Sequence, residues 1–454
     1  LLTPSAYGAA SLVGTATSLV SVFALAGIDM SYARAYYSSG PPSGEAVEHF
    51  CWRIAIFTAA PAAVLAGLAW WFVNKGSVEL DQHLAILLAL GVFLTVINMM
   101  SQTRARLEGK YRAMARAVVV TGLVGAAAGV GIAALWRRDA VALIIPVLLA
   151  NLIPILMLGI PPVSELATPS RLGRKEGMTL MKIGLAGVVT APMYWLLSSS
   201  DRWFLQLFHG ADSVGVYSLG YNFAFLGVMV NTAVMTVWLP EAAREYEEDP
   251  EMARVILGRL MSRLVAGMAL VWLAVASAGG DVVRWLANSR FHAAADVVPF
   301  IAGGVFFYGV SQLALYGLLL VKQLKWAAVW WFAGGLVCVA LNLALVPRLG
   351  GIGAAITQSI SFAFVAFAIL TTSQIKYRLE LTWLRLAAVM AIVLGAALVM
   401  VPPWSSIPPL SIVIKFPVGV AVSALVAWVI APDWWRRGVE LVRLRTFDWR
   451  LPPG

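Results

Sequence analysis

Long apolar runs, separated by short polar segments, dominate the pattern along this chain. An α-helix needs about 20 apolar residues to cross a bilayer, so each run of that length predicts one membrane span. Thirteen spans are predicted, at 9–28, 54–73, 84–103, 117–136, 141–160, 183–205, 214–239, 264–278, 297–321, 326–346, 352–370, 386–402 and 410–431. The run at 264–278 needs its flanking residues to reach full length.

Composition supports this pattern and excludes other classes. Of 454 residues, 60% are hydrophobic and 12% charged, against roughly half and a quarter in soluble proteins. A net charge of +10 would suggest a nucleic-acid partner in a soluble protein, but in a membrane protein it reflects cationic loops that face the cytoplasm. The sequence therefore predicts a polytopic membrane protein with no nucleic-acid partner.

The distribution of cationic residues predicts an orientation. If the first loop is external, most of the 33 Lys and Arg residues fall in cytoplasmic connections or the tail, as the positive-inside rule requires. This orientation predicts a multi-pass inner or plasma membrane protein with a cytoplasmic C-terminus. The chain opens at Leu1 on a turn-like segment and has an odd number of spans. The first of fourteen helices is therefore expected to be missing.

A weak internal repeat organises the spans. The pattern G-x-x-S-L occurs at 8–12 and at 215–219, an offset of 207 residues, and this offset carries several spans of the first half close to spans of the second. The repeat predicts two six-helix bundles, the first short of one helix, and two additional helices. The predicted parts are an N-terminal lobe at 1–162, a cytoplasmic linker at 163–182, a C-terminal lobe at 183–376, a helix pair at 377–431 and a cytoplasmic tail at 432–454.

The tail combines aromatic, cationic and apolar residues. Trp434 and Trp435 stand beside Arg436 and Arg437, and such residues favour the headgroup zone. The tail is interpreted as a short amphipathic interfacial helix, with a solvated basic tail as the alternative.

Signatures of enzymes and metal sites are absent from the sequence. The four histidines are scattered, and no zinc-protease, serine-hydrolase or ATP-binding motif occurs. Cys51 and Cys338 both lie in or beside apolar runs, which does not favour a disulfide framework or a metal site. The chain is predicted not to be an enzyme and to bind no metal cofactor.

Ionisable residues at membrane depth are costly, and for that reason they are candidates for function. Asp201 and Arg202 form either a self-neutralising interfacial pair or a charge that faces a cavity. Arg34 and Arg53 either flank spans under the positive-inside rule or bind an anionic headgroup, since a guanidinium donates paired hydrogen bonds to phosphate. Lys415 is interpreted as a side chain that snorkels to the outer interface.

Uncharged polar residues recur in the second bundle. They either join helices or bind the hydroxyl groups of a sugar. These residues are Tyr217, Tyr221, Asn222, Asn231, Tyr308, Ser311 and Gln312.

Four places resemble one known family, the polysaccharide or O-antigen type flippases of the multidrug/oligosaccharidyl-lipid/polysaccharide (MOP) exporter superfamily. Residues 2–8 resemble its L-x-P-x-x-Y-G turn, and Gly27 to Arg34 resembles its G-L-x(5)-R helix end. Asp201 and Arg202 followed by 214–218 are similar to D-R and V-G-x-Y-S, with Pro240 ending the next span. The most specific match is 342–357, which resembles N-x-x-L-x-P-x-x-G-x-x-G-A-A-x-x-T.

The resemblance implies a fold and an activity. The fold is all-α and MATE-like, with two pseudo-twofold six-helix lobes plus two C-terminal helices. The activity is alternating access, which moves a lipid-diphosphate-linked oligosaccharide from the cytoplasmic to the outer leaflet. Implied partners are this lipid, membrane lipids and polysaccharide polymerase or assembly proteins. A large outer loop with paired carboxylates, which a membrane glycosyltransferase or polymerase would need, is absent from the sequence.

Together these features give a set of candidate site residues. The substrate-binding candidates are Arg34, Arg53, Arg202, Tyr217, Tyr221, Asn222 and Gln312. The candidates for coupling to a cation, either a proton or sodium, are Asp29 and Asp201. The alternative function is a multidrug or metabolite cation-coupled antiporter of the same superfamily.

Overall fold

The computed structural model describes residues 2–37, 44–75, 80–162, 172–188 and 191–432. Within these ranges the regular structure is helical. The helices are α1 (Pro4–Leu25), α2 (Ile28–Ala35), α3 (Gly44–Val73), α4 (Leu84–Leu107), α5 (Tyr111–Leu135), α6 (Val141–Leu158), α7 (Arg174–Val188), α8 (Ala191–Ser199), α9 (Asp201–Ala224), α10 (Leu226–Glu248), α11 (Pro250–Leu286), α12 (Ala294–Leu320), α13 (Lys325–Lys376), α14 (Trp383–Met400) and α15 (Pro408–Ile430), with a 3-10 turn at Ser289–Phe291.

Eleven helical segments of the described chain are long and apolar enough to cross a membrane. Two of them, Pro192–Glu248 with 57 residues and Lys325–Lys376 with 52, each overlap two predicted spans, and the first begins within the span predicted at 183–205. At 1.5 Å per residue a straight helix of 52 residues would measure about 78 Å, more than twice the roughly 30 Å hydrocarbon core. Each of the thirteen predicted spans therefore overlaps one of the eleven segments.

Two glycines break the long segments. Gly210 has φ 78° and Gly350 has φ 53°, values in the left-handed half of φ that glycine adopts without a steric penalty. Gly350 also follows Pro347, which removes a helical hydrogen bond. The most specific sequence motif, at 342–357, is thus the connection between two membrane helices.

The span at 264–278 includes flanking residues on both sides, as its short apolar run required. The helix α11 runs over 37 residues, from Pro250 to Leu286. Asp249 caps it by accepting hydrogen bonds from the backbone N–H groups of Glu251 and Met252, and proline suits the first helical position. The charged residues of the first turns hid this length, because the prediction followed hydropathy alone.

The chain divides into two compact units. Unit 1 comprises Leu1–Leu219 and Trp331–Ala354, and unit 2 comprises Gly220–Trp330 and Ala355–Gly454. In unit 1, α4 packs on α1, α3 and α6. In unit 2, α11 packs on α10, α12, α14 and α15. The predicted boundaries of the two six-helix lobes are not tested by this division and stay predictions.

Two predicted segments lie partly or wholly outside the described residues. Of the linker predicted at 163–182, residues 163–171 are not described, and α7 begins at Arg174. Beyond residue 432 the tail is outside the described part of the chain, so its interfacial helix stays a prediction.

Candidate functional site

A buried charged pair lies in α9 of unit 1. Asp201 is 2% exposed and Arg202 is 5% exposed. The backbone N–H of Arg202 donates to Asp201 Oδ1 at 2.8 Å, and Arg202 Nη1 lies 3.4 Å from the same oxygen. The hydroxyl of Tyr217 donates to Oδ2 of Asp201. The structure therefore brings together three of the predicted site residues.

Uncharged groups also contact the Arg202 guanidinium. Nη1 donates to the carbonyl oxygen of Ser198 at 3.1 Å, and Nε donates to Ser218 Oγ at 3.3 Å. The guanidinium also lies over the ring of Tyr217, 5.7 Å from its centroid. A buried cation needs such partners, because an unpaired charge in a low-dielectric interior is very costly.

The charged pair is connected to another helix through one serine. The hydroxyl of Ser218 donates to Ser11 Oγ on α1 at 2.8 Å. Arg202, Ser218 and Ser11 thus form a continuous hydrogen-bonded chain from α9 to α1, here named the serine chain. Ser11 and Ser218 occupy the same position of the two G-x-x-S-L repeats, 207 residues apart.

Next to the serine chain, α1 and α9 are in close backbone contact. A Cβ atom at Gly8 would overlap the carbonyl oxygen of Ala211, and one at Gly215 would overlap that of Pro4. Pro4 and Ala211 are themselves equivalent at the offset of 207, as are the two glycines. The contact is therefore reciprocal, and we name it the glycine crossing. Small residues let membrane helices approach this closely.

A second buried charge cluster lies in unit 2. Lys415 Nζ on α15 lies 2.7 Å from Asp281 Oδ2 on α11 and also donates to the carbonyl oxygen of Ser277 at 3.1 Å. The hydroxyl of Ser411 donates to the same Asp281 oxygen at 2.8 Å. Lys415 is 3% exposed and Asp281 2%. The prediction that Lys415 snorkels to the interface was wrong, because an aspartate of another helix pairs with it inside the protein.

The unit 2 cluster continues to a second cation. Arg284 Nη1 lies 3.9 Å from Asp281 Oδ1, and its Nη2 lies 3.1 Å from Asp296 Oδ1. The four charged groups therefore sum to zero. We name this set, with Ser411, the Asp281 cluster.

The other predicted site residues of unit 1 lie on α2 and α3. Arg34 is exposed in the last turn of α2, and Asp29 is half-buried in its first turn. Arg53 is half-buried on α3. These positions are compatible with both interpretations of the two arginines, flanking charges or headgroup contacts.

The predicted hydroxyl-binding residues of unit 2 have varied surroundings. Tyr221 is buried and stacks on Phe225, with ring centroids 5.8 Å apart. Asn222 is exposed. Gln312 donates to the hydroxyl of Tyr308 at 2.7 Å on the same helix.

One polar residue of the second bundle joins helices. Asn231 on α10 donates to the carbonyl oxygen of Val305 on α12 at 2.8 Å and is buried. The helix-joining interpretation is confirmed for this residue.

Predicted cytoplasmic cations at the end of α4 are paired with carboxylates. Arg104 Nε lies 2.9 Å from Glu48 Oε1 and 3.0 Å from Glu108 Oε1, and Lys110 Nζ lies 2.6 Å from Glu108 Oε2. Glu48 stands on α3, so sequence inspection missed a carboxylate that joins two helices of unit 1.

Within the described ranges, no group of His, Cys, Asp and Glu side chains is arranged to hold a metal ion. Cys51 and Cys338 are both free and buried. The absence of enzymatic activity and the identity of a coupling cation stay predictions.

Comparison with solved structures defines the class of fold. The lipid II flippase MurJ, in an inward closed conformation, superposes on this chain with a TM-score of 0.67 at 14% sequence identity. The alignment covers 96% of this chain and 94% of the MurJ chain. An inward-facing multidrug resistance transporter of the MATE family, from the MOP superfamily, gives a TM-score of 0.54 at 13% sequence identity. That alignment covers 86% of this chain and 96% of the transporter. The chain therefore has the all-helical MurJ/MATE-like fold of a multi-pass membrane protein.

The family follows from the sequence comparison. Residues 1–278 match the family described as polysaccharide biosynthesis protein, and the chain belongs to that family. No curated protein matches the chain in sequence. The resemblance seen in the sequence motifs is thereby confirmed at the level of family and fold.

Proposed function

We propose that this protein is an alternating-access flippase that moves a lipid-diphosphate-linked oligosaccharide from the cytoplasmic to the outer leaflet. The observation that carries the proposal is a buried arginine, Arg202, in a membrane helix of a chain that belongs to a polysaccharide biosynthesis family. A diphosphate and several sugars cannot cross hydrocarbon unaided, because each unpaired polar group costs several kcal/mol or more. A protein path with cationic and hydroxyl-bearing side chains removes most of that cost.

The roles of the candidate residues follow from their chemistry. Arg202 takes the diphosphate in planar, paired hydrogen bonds, as guanidinium groups do with phosphate. Arg34 and Arg53 attract the same headgroup at the cytoplasmic entrance. The hydroxyl and amide groups that contact sugars are those of Tyr217, Tyr221, Asn222 and Gln312.

Coupling and orientation complete the proposal. Asp29 and Asp201 are the groups through which a proton or sodium ion drives the cycle. The protein lies in the inner or plasma membrane and works beside polysaccharide polymerase or assembly proteins of an O-antigen type pathway. A reporter fused after Gly454 should be cytoplasmic, and one inserted near His209 should be external; finding both on one side would contradict the orientation.

The decisive experiment is a flipping assay in proteoliposomes. A polyprenyl-diphosphate oligosaccharide labelled on its sugar is incorporated, and a membrane-impermeant quencher reports how much label reaches the outer leaflet. We expect protein-dependent flipping that Arg202→Ala nearly abolishes, with no loss in Arg116→Ala, an exposed arginine at the start of α5. Flipping equal to protein-free vesicles would contradict the proposal.

The same vesicles test the antiporter alternative. A labelled cationic drug is loaded, and its release is followed under a proton or sodium gradient. Gradient-driven drug release together with absent lipid flipping would favour the antiporter. Lipid flipping without drug release would favour the flippase.

A further inference from the structure

The serine chain places one hydrogen-bond donor of Arg202 in the same network that joins α1 to α9. Nε donates to Ser218, and Ser218 in turn donates to Ser11. A hydroxyl that accepts a hydrogen bond from a cation is polarised and becomes a better donor, because hydrogen bonds in a chain strengthen one another. The strength of the Ser218–Ser11 bond therefore depends on where the guanidinium of Arg202 points.

The contacts of Arg202 are of a kind that an anion can replace. Ser198 and Ser218 are neutral acceptors at 3.1 and 3.3 Å, and Asp201 Oδ1 is 3.4 Å from Nη1. Phosphate oxygens form shorter, charge-assisted bonds that are about twice as strong as neutral ones. Asp201 keeps the hydroxyl of Tyr217 and the backbone N–H of Arg202 if the guanidinium turns away. The exchange thus leaves no carboxylate without donors.

The glycine crossing is a contact that can separate. Gly8 and Gly215 meet backbone atoms of the opposite helix and carry no side chain that interlocks with it. The close approach of the two backbones gains van der Waals energy. Side-chain hydrogen bonds from Ser218 to Ser11 at 2.8 Å and from Trp203 Nε1 to Thr15 Oγ1 at 3.2 Å also join α9 to α1.

From these contacts we propose that an anion bound by Arg202 loosens the glycine crossing, and that the serine chain transmits this effect; we call this the release of the crossing. A diphosphate that takes the guanidinium of Arg202 withdraws its donor from Ser218, weakens the Ser218–Ser11 bond and loosens the contact between α1 and α9. Ser11 and Ser218 are positioning residues, since neither touches the substrate. The inference rests on the proposed function in one respect, namely that the anion is the diphosphate of the transported lipid.

The test measures the separation of α1 and α9 directly. Nitroxide labels are placed at Ser5→Cys and Asp212→Cys, each one residue from a contact point of the crossing, in full-length protein in vesicles. The native cysteines are buried and should label poorly. Dipolar broadening in the EPR spectrum is recorded with polyprenyl diphosphate, with the uncharged polyprenol, and without lipid.

We expect polyprenyl diphosphate to reduce the broadening and polyprenol to leave it unchanged. Ser218→Ala and Ser11→Ala should each reduce the broadening before any lipid is added, and combining them should add nothing, because both variants break the same Ser218–Ser11 bond. Arg202→Gln should abolish the response to the diphosphate. Each serine variant retains Arg202 and already has a loosened crossing, so by linkage its affinity for the diphosphate, measured by fluorescence titration, should be equal to that of the unaltered protein or up to about threefold higher.

Two results would overturn the inference, and they are distinguishable. If polyprenyl diphosphate binds and is flipped but the broadening does not change, the release is wrong and the proposed function stands. If the diphosphate neither binds nor is flipped, both fall. A response that persists in Arg202→Gln would also overturn the release, since the signal would then bypass the serine chain.

Discussion

The two buried charge clusters of this protein are built in opposite ways. In unit 1 the charged partners are neighbours in sequence, and Arg202 Nη1 lies 3.4 Å from Asp201 Oδ1. In unit 2 the partners are 134 residues apart, and Lys415 Nζ lies 2.7 Å from Asp281 Oδ2. The unit 2 contact ties two helices together, whereas the unit 1 pair stands on one helix and is linked to α1 through Ser218.

This difference indicates that the Asp281 cluster stabilises the fold and that Arg202 acts in transport. A short ion pair between distant helices fixes how those helices pack, and breaking it leaves a charge buried alone. The guanidinium of Arg202, whose donors reach neutral oxygens of Ser198 and Ser218 and, at 3.4 Å, the Asp201 carboxylate, can exchange these contacts for a ligand. We therefore expect substitutions in the Asp281 cluster to change stability first, and substitutions around Arg202 to change transport first.

The largest effect should come from breaking the Asp281 cluster. Lys415→Met leaves Asp281 buried without its closest cation and should lower the free energy of unfolding by about 3–5 kcal/mol, as for other buried pairs that lose one partner. Thermal unfolding in detergent would measure it. The double variant Asp281→Leu with Lys415→Met should recover most of the loss, and a double variant as unstable as the single one would contradict this interpretation. Arg202→Met should cost less, because Asp201 keeps Tyr217 as a donor.

The second effect concerns transport at Arg202. Arg202→Ala should slow flipping by about a hundredfold, equivalent to about 2.7 kcal/mol in the barrier. Arg202→Lys keeps the charge but loses the planar paired donors. Its flipping rate should therefore lie between that of the unaltered protein and that of Arg202→Ala. Initial flipping rates in proteoliposomes, normalised to protein content, would measure this. Normal transport by Arg202→Ala, together with failure of Asp201→Asn, would make the carboxylate the coupling group and exclude phosphate capture by Arg202.

A smaller effect should follow from filling the glycine crossing. Gly8→Ala and Gly215→Ala each insert a Cβ where a backbone carbonyl lies, and overpacking of this kind costs about 1–3 kcal/mol. Because the contact is reciprocal, the two variants should destabilise the protein equally in thermal unfolding. Gly131→Ala is the matched control, since nothing lies within 4 Å of that position. Unequal losses at the two glycines would contradict the reciprocity.

The smallest effect compares two serines. Ser411→Ala removes a donor to Asp281 and should cost about 1–2 kcal/mol of stability without changing the flipping rate. Ser11→Ala removes a bond between neutral groups and should cost about 0.6 kcal/mol, typical for such bonds in membranes, yet change the flipping rate. The free energy of unfolding and the flipping rate, measured on the same preparations, should show that one variant mainly loses stability and the other mainly changes its flipping rate. Identical profiles for the two variants would remove the distinction between the clusters.

Hydropathy predicted where the chain crosses the membrane, but it did not predict how the helices continue or break. Charged first turns hid the true start of α11 at Pro250, and the left-handed backbone of Gly210 depends on the packing around it. Both features are set by contacts that a window of apolar residues does not register.

At the candidate site, the sequence predicted charged pairs whose partners are neighbours in the chain and missed a pair whose partners are far apart. Asp201 and Arg202 stand out because two charges follow each other in an apolar run. Lys415 was misinterpreted because its partner, Asp281, is 134 residues away and lies near a span end where charges are common. The repeat identified Ser11 and Ser218 as equivalent, but equivalence in sequence does not reveal that the two residues touch.

The glycine crossing has a further consequence for the symmetry of the molecule. A contact in which each partner presents the same surface to the other is the contact that two identical chains make about a twofold axis, so the crossing has the form of a homodimer interface within a single polypeptide. In a single polypeptide the two halves are free to differ in sequence. Tyr217, which donates to Asp201, has Ala10 as its equivalent at the offset of 207. A symmetric interface thus lies beside a charged site that is present in only one of the two repeats, and two identical chains could not produce this asymmetry.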